Sequence, residues 1–363
     1  MPETPDIALS VSLFVIFIIV LLGPFLVRKI EHNLEAFLFS MGLVAVTLDT
    51  ILLEVSSNAP GEILPNWNFG LVEKAILDPL EITIAVLVAG LVFHYGRSRL
   101  KDLTDWILDR VQLKVFVFLV VVILGLVSSV ITAIIAALLL VEIVSTLKLN
   151  RKTQVNLVII ACFAIGLGAA LTPVGEPLST IVIKTKLQED FWYLFYQIGR
   201  YIIPGIIGLG IASMFFVGKK QKAEVVTPEE ESETLKDVGI RAFKVYVFVM
   251  ALVFLGIGFI PIAEWYIKSL VPQMLYWVNS VSAVLDNATL ASAEITKDMV
   301  TLQINSALMG LLIAGGMLIP GNIPNIIAAN KLRITSKEWA KLGVPLGALI
   351  LVVYFVILFA VKI

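Results

Sequence analysis

The sequence predicts an all-α polytopic membrane protein built on inverted structural repeats, with two re-entrant helical hairpins and two broken helices. Three observations predict it. Hydrophobic residues make up 59% of the 363 and charged residues only 15%, with a mean hydropathy of +0.97, which excludes an ordinary water-soluble domain. Apolar runs near the roughly 20 residues of a helical span recur from end to end, without the short alternation of an outer-membrane barrel. A Pro-x-x-x-Pro break followed by Lys and Trp occurs twice, in opposite charge surroundings.

The N-terminal scaffold, residues 1–69, opens with a span from about Ala8 to Val27, followed by Arg28, Lys29 and His32. Basic residues favour the cytoplasmic side, so the N-terminus is expected outside. MPETPD is acidic rather than basic, so this run reads as a retained span, not a cleaved signal peptide. A second span, about Leu34 to Leu53, leads into the acidic, Pro-containing loop Glu54 to Asn68.

Repeat 1, residues 70–217, begins with a span from about Ile76 to Tyr95 and the amphipathic stretch Arg97 to Gln112, patterned to lie in the cytoplasmic interface. The block Leu113 to Leu147 is too long for one untilted span, and Lys114 precedes it while Lys148, Arg151 and Lys152 follow it. It reads as a hairpin entering from inside with Ser128, Ser129 and Thr132 at its tip; two full spans with a tight outer turn are the alternative. A helix from Gln154 to Leu171 then meets TPVGEP, Thr172 to Pro177, where two prolines and a glycine interrupt it. Glu142 near the hairpin's cytoplasmic end is expected to reach water. A span from about Phe191 to Val217 closes the repeat.

Residues 218–239 are charged and poor in apolar side chains, a cytoplasmic linker. Repeat 2, residues 240–363, has a span at about Ala242 to Ile262, a second hairpin within Trp277 to Ile295 entering from outside, a helix from Gln303 to the PGNIP break at Pro320 to Pro324, and a last span at about Leu342 to Val361 that leaves the C-terminus outside. Pro173, Pro177, Lys184 and Trp192 align without gaps on Pro320, Pro324, Lys331 and Trp339. Opposed halves with discontinuous helices are the plan of secondary transporters, whose sites lie near the midplane.

Composition excludes several functions. A net charge of −1 offers no nucleic-acid surface. One cysteine, Cys162, and two histidines, His32 and His94, are too few for a thiolate or imidazole metal centre. No Ser/His or Asp/Asp catalytic spacing stands out, so no enzyme is expected.

What remains are polar groups at membrane depth, which by default mark a substrate, ion or proton path. Asp286 is the foremost: a desolvated carboxyl has a raised pKa that a nearby cation lowers, so one group can hold Na⁺ or H⁺ in competition. Its other reading is a helix cap. Asn287, Ser282 and Thr289 offer neutral oxygens suited to a hard cation, or simply pack helices. Glu176 lies in the first break beside Thr172, either an ion ligand or a cap; Asn322 and Asn325 lie in the second. Asp286, Asn287 and Glu176 are the expected cation ligands. Asp49, Glu81 and Arg200 are further buried charges, the first two read as pairing or interface residues and Arg200 as a possible partner of a site acid.

SAVLDNATLAS, Ser282 to Ser292, resembles the S-A-x-x-D-N-x-(T/P) hairpin motif of NhaD-type sodium/proton antiporters, and GAALTPVGEP, Gly168 to Pro177, resembles their G-x-x-L-T-P-x-G-(D/E)-P break. The chain is also similar to a small prokaryotic family of unknown function described as cation transporters; all fall in the ion transporter superfamily that holds the ArsB and dicarboxylate carriers. The resemblance implies a scaffold, a mobile domain holding both hairpins and both breaks, elevator-type alternating access and a homodimer. One departure matters: the first hairpin reads SSVITAIIA, with Thr132 and Ala133 where the family has a second Asp-Asn pair.

The expected function is secondary active transport in the cell (inner) membrane, a cation/proton antiporter of the Na⁺/H⁺ kind whose partners are an inorganic cation, H⁺ and the lipid bilayer. A sodium-coupled carrier of a dicarboxylate or oxyanion is the alternative, because half-helix N-termini suit anions. No cofactor is expected beyond the transported cation, for which Na⁺ is the expectation.

Overall fold

The computed structural model describes residues 5–27, 29–30, 33–56, 67–80, 110–147, 149–217, 235–267, 270–280, 287–295 and 299–361, with isolated positions among 83–106 and at 297. Ser282 and Asp286, Glu81, nine of the twenty residues of the span expected at Ile76 to Tyr95, twelve of the sixteen in the stretch Arg97 to Gln112 and residues 218–234 of the linker lie outside them. Every regular element among the described residues is helical.

Among the described residues, seven helices are long and apolar enough to cross a membrane: α1 (Ile7–Leu26), α2 (Leu34–Ser56), α3 (Leu113–Ile131), α5 (Arg151–Ala169), α7 (Tyr193–Phe216), α8 (Leu235–Gly258) and α13 (Ser336–Phe359). Between them stand α4 (Ala133–Thr146), α6 (Pro177–Thr180, continued by a π-helical segment, Ile181–Leu187), α9 (Pro272–Val278), α10 (Asn287–Glu294), α11 (Thr301–Gly315) and α12 (Ile323–Lys331). The outer helices turn Phe215, Ile7, Leu349 and Ile123 outward, an apolar surface suited to lipid. The protein is therefore multi-pass in a membrane.

Two helices are central. Every residue of α5 from Leu157 to Ala169 is buried, and so is every residue of α11 from Ile304 to Gly315. Around them, α3 and α5 run in the same direction, because contacts ascend together along both: Gly125 against Ala164, Ser128 on the Ile165 carbonyl, the Thr172 hydroxyl on the Ser129 carbonyl, and Ala133 N–H on the Gly175 carbonyl. With α3 and α5 parallel, α4 must run back between them. The chain reverses at one residue, Thr132, whose φ of 76° and ψ of 151° form a conformation that a β-branched residue rarely adopts.

Local chemistry sets the ends. Asn150 caps α5 by accepting from Thr153 N–H at 2.9 Å. α13 begins at Ser336, earlier than the expected Leu342, because Thr335 and Glu338 form a capping box that starts the helix inside the charged SKEWAK segment. Arg151 then clamps the preceding loop to α5, donating to Glu338 and to the carbonyls of Leu332 and Arg333. α8 begins at Leu235, so the last five residues of the expected 218–239 linker are helical.

The halves interlock. α4 packs against α12, while α10 packs against α6 and its π-helical continuation. α4 thus lies on the half-helix that follows the second break, and α10 on the one that follows the first.

Candidate functional site

Both breaks restart a helix in the same way. Glu176 is the N-cap of α6 with φ −157° and ψ 159°, and Asn322 is the N-cap of α12 with φ −155° and ψ 146°. Proline follows at once in the first case and one residue later in the second, so the gap-free alignment of prolines sets the caps one residue out of register. In neither does the cap side chain bond the first turn of the helix it starts. Glu176 and Asn322 are each buried.

The first break is sewn to the tip of the first hairpin. Thr172 donates its hydroxyl to the Ser129 carbonyl at 2.5 Å, Ser179 to the Ala170 carbonyl at 3.0 Å, and Thr180 to the Pro173 carbonyl at 2.5 Å. Ser128 donates to the carbonyls of Gly125 and Ile165, and Ser129 to that of Leu126. Because each of these hydroxyls spends its proton on a backbone oxygen, its lone pairs are what it turns to anything else. Thr132 Oγ1 accepts from Ile135 N–H at 3.4 Å. Glycine is required where backbones touch: a Cβ on Gly168 would stand 1.7 Å from the Gly125 carbonyl oxygen, and one on Gly175 1.9 Å from that of Ala169.

The second break is lined by amides. Asn325, fully buried, donates from Nδ2 to the Gly315 and Leu318 carbonyls, both at 2.8 Å, and its Oδ1 accepts from nothing among the described residues. Asn287, first residue of α10, lies against the same glycine: a Cβ on Gly315 would meet its Nδ2 at 2.4 Å and the Gly321 carbonyl oxygen at 2.9 Å. Neither Asn287 Nδ2 nor Oδ1 has a hydrogen-bond partner among the described residues, although the side chain is buried. The Asn322 amide reaches the other central helix, where a Cβ on Gly166 would stand 2.2 Å from its Nδ2.

The structure thus gathers Asn287, Asn322 and Asn325 at the second break, and Ser128, Ser129, Thr132, Thr172 and Glu176 at the first, with Asn322 on α5 and α10 on α6 joining the two. Asp286 and Ser282 lie outside the described residues, and Thr289 is on α10 with its side chain outside them. Arg200 is not drawn to a site acid; its guanidinium lies exposed over the Tyr201 ring, 4.8 Å from the centroid. Asp49 is buried on α2, which packs along α8. Cys162 is a core residue with Sγ 3.6 Å from the Pro324 carbonyl.

Two groups corrected or escaped the sequence reading. Glu142 does not reach water: it is buried at the end of α4, and Oε2 lies 3.9 Å from Lys331 Nζ on α12. The alignment of Lys331 with Lys184 marked it as a repeat position, and a lysine closing a buried half-helix needs an acid; that was the signal available. Trp339 is fully buried and donates Nε1–H to the Gly316 carbonyl at 3.1 Å, whereas the aligned Trp192 is half exposed, so the two tryptophans do different work.

A profile described as Protein of unknown function (DUF1646) matches residues 10–361. The chain belongs to that family. No curated protein matches it.

Proposed function

We propose that this member of the DUF1646 family is a secondary active transporter, and in particular a cation/proton exchanger of the Na⁺/H⁺ kind. The observation that carries the reading is the buried meeting of two interrupted helices, where Glu176 and Asn322 cap the restarting halves and the Asn287 amide has no partner among the described residues. Interrupted helices at membrane depth are tolerated only where protein buries them or where they line a cavity. In such a place the carboxylate of Glu176, the amide oxygens of Asn287, Asn322 and Asn325, and hydroxyl oxygens from Thr172 and Ser129 make a donor set for a hard cation. Asp286 adjoins Asn287 in sequence and would supply a second carboxylate.

On this reading the crossed packing of α4 on α12 and of α10 on α6 reflects an inverted repeat, and the α3–α4 reversal is a re-entrant hairpin. The NhaD-type likeness supports the same assignment, with elevator-type movement of the two breaks against the remaining helices, a homodimer, and a cell membrane orientation that leaves both termini outside and 218–239 in the cytoplasm. A sodium-coupled carrier of a dicarboxylate or oxyanion is the second reading. Its support is that neither half-helix N-terminus is closed by its own cap side chain, which leaves backbone N–H groups for an anion.

Reconstitution tests both. Proteoliposomes holding a proton gradient should release it on addition of Na⁺, Li⁺ or K⁺, and Glu176→Gln or Asp286→Asn protein should not. Sodium-driven uptake of a labelled dicarboxylate or arsenite-type oxyanion without cation-driven proton release would instead establish the second reading; neither flux would overturn both.

A further inference from the structure

α10 is eight residues long, and its last residue, Glu294, has a setting of its own. Glu294 is fully buried, and its Oε2 accepts from Asn279 Nδ2 at 2.8 Å. The same Asn279 amide nitrogen donates again, to the Ala307 carbonyl on α11 at 3.3 Å, so both amide hydrogens are committed. The Ala307 carbonyl fixes the amide orientation: the flipped form would turn Oδ1 toward that carbonyl oxygen, with no hydrogen between them. The remaining oxygen of each group, Glu294 Oε1 and Asn279 Oδ1, is buried and accepts from nothing among the described residues.

We propose that Glu294 and Asn279 form a proton-carrying pair, in which Glu294 holds one proton on Oε1 and shares it with Asn279 Oδ1. The proton comes from hydronium in the aqueous phase: one O–H bond of the hydronium breaks as the carboxyl O–H forms, and water is left. One hydrogen then satisfies both oxygens, because a carboxylic acid and a primary amide can join by two antiparallel hydrogen bonds, N–H to Oε2 and O–H to Oδ1. An ionised carboxylate in the same place would be buried with a single hydrogen bond and no ion pair among the described residues, which is the arrangement burial disfavours most.

Among the described side chains, none forms an ion pair with Glu294 that would replace the proton. α10 packs against α11, α8, α6 with its π-helical continuation, and the short helical segments Ile260–Ile262 and Ala263–Ile267. α11, Pro177–Thr180 and Ile260–Ile262 carry no titratable group. Ala263–Ile267 carries Glu264 and Tyr266, and the Tyr266 hydroxyl bonds Ser10. α8 carries Lys236, Asp237, Arg241, Lys244 and Tyr246, of which Lys244 pairs with Glu35 and Tyr246 with the Ile76 carbonyl; α9 carries Tyr276, bonded to the Leu351 carbonyl. Lys184 and Lys186 on the π-helical segment have side chains outside the described ones.

Position gives the pair its use. Seven residues of helix, about 10 Å at 1.5 Å per residue, separate Glu294 from Asn287 at the second break. Protonation at one end of α10 therefore holds that helix to α9 and α11, while its other end meets the candidate ion site. This coupling rests on the transporter reading; the proton on Glu294 does not.

Infrared difference spectroscopy of the purified protein in lipid, wild type minus Glu294→Gln at pH 7, reads the proton directly. A carboxylic C=O band that shifts in D₂O and is missing from the variant is expected, and in Asn279→Ala the band should move to the frequency of a carboxyl lacking an amide partner. Glutamine preserves the paired hydrogen bonds of an amide with an amide, so the variant should fold. If it does not, titrating the wild-type band with and without Asn279→Ala gives the same answer. Loss of a carboxylate band instead, or a band unmoved by Asn279→Ala, overturns the pair. Neither result depends on whether the protein transports anything.

Discussion

Lys331 Nζ lies 3.9 Å from Glu142 Oε2, and this contact ties α12, the half-helix after the second break, to α4, the returning leg of the first hairpin. Both side chains are largely withdrawn from solvent, at 15% and 4% exposure. Removing one partner strands the other, whereas replacing both with apolar side chains of similar size does not. Glu142→Gln alone should cost about 2 kcal/mol, between the roughly 1 of an exposed pair and the 3–5 of a fully buried one. Glu142→Leu with Lys331→Met should recover most of it. Thermal unfolding of wild type, Glu142→Leu, Lys331→Met and the double variant in detergent measures the cycle, and additive losses would mean that the ion pair contributes nothing.

Two glycines on one helix should answer differently to alanine. On Gly168 the new Cβ meets the Gly125 carbonyl oxygen at 1.7 Å, backbone against backbone, so α3 and α5 must separate and about 3 kcal/mol or more should be lost. On Gly166 it meets only the Asn322 amide at 2.2 Å, which can swing aside. Gly166→Ala should therefore fold with a near-normal melting temperature and lose cation-driven proton release. A Gly166→Ala protein with wild-type flux would remove Asn322 from the site.

Much of the architecture was legible in the letters, for identifiable reasons. Proline at 173, 177, 320 and 324 cannot continue a helix, so both breaks were readable to within a residue or two. The reversal near Ser128 to Thr132 followed from helix length and flanking charge, though nothing in the residue type announced that Thr132 alone would make the turn. Less legible were relations between distant elements. That α4 lies on α12 and α10 on α6 depends on three-dimensional closure, which also decides that Glu142 faces Lys331 rather than water. Nothing in the letters marks Glu294 as buried, since its neighbours Lys297 and Asp298 are polar; only its hydrogen bond from Asn279 and the packing of α10 against α11 reveal it.

Stability should depend on pH through Glu294, which lies outside the seven spanning helices. Burial pushes its carboxyl up from 4.5 to about 8, the Asn279 hydrogen bond opposing. The native state thus keeps a proton that the unfolded chain has released, so this contribution is complete below about pH 4.5 and is lost as pH rises through about 8. The melting temperature should fall from pH 5 to pH 8, and Glu294→Gln should flatten that fall. Parallel curves for the two proteins would show that another group governs the dependence.

Asn287 sets stability against function. Its amide is buried against Gly315 with neither polar atom bonded among the described residues, and an unsatisfied buried polar group costs roughly 1–3 kcal/mol. Truncation loses packing of similar size, so Asn287→Ala should lie within about 1 kcal/mol of wild type when no cation is present. A cation that binds only the folded protein adds RT ln(1 + [L]/Kd), roughly 2.7 kcal/mol at a hundred times Kd. Wild-type protein should therefore gain several degrees in melting temperature on titration with the transported cation, and Asn287→Ala should gain little. The discriminating quantity is the difference between the two titrations, because a purely structural asparagine would lower the cation-free melting temperature and leave the cation-induced gain intact.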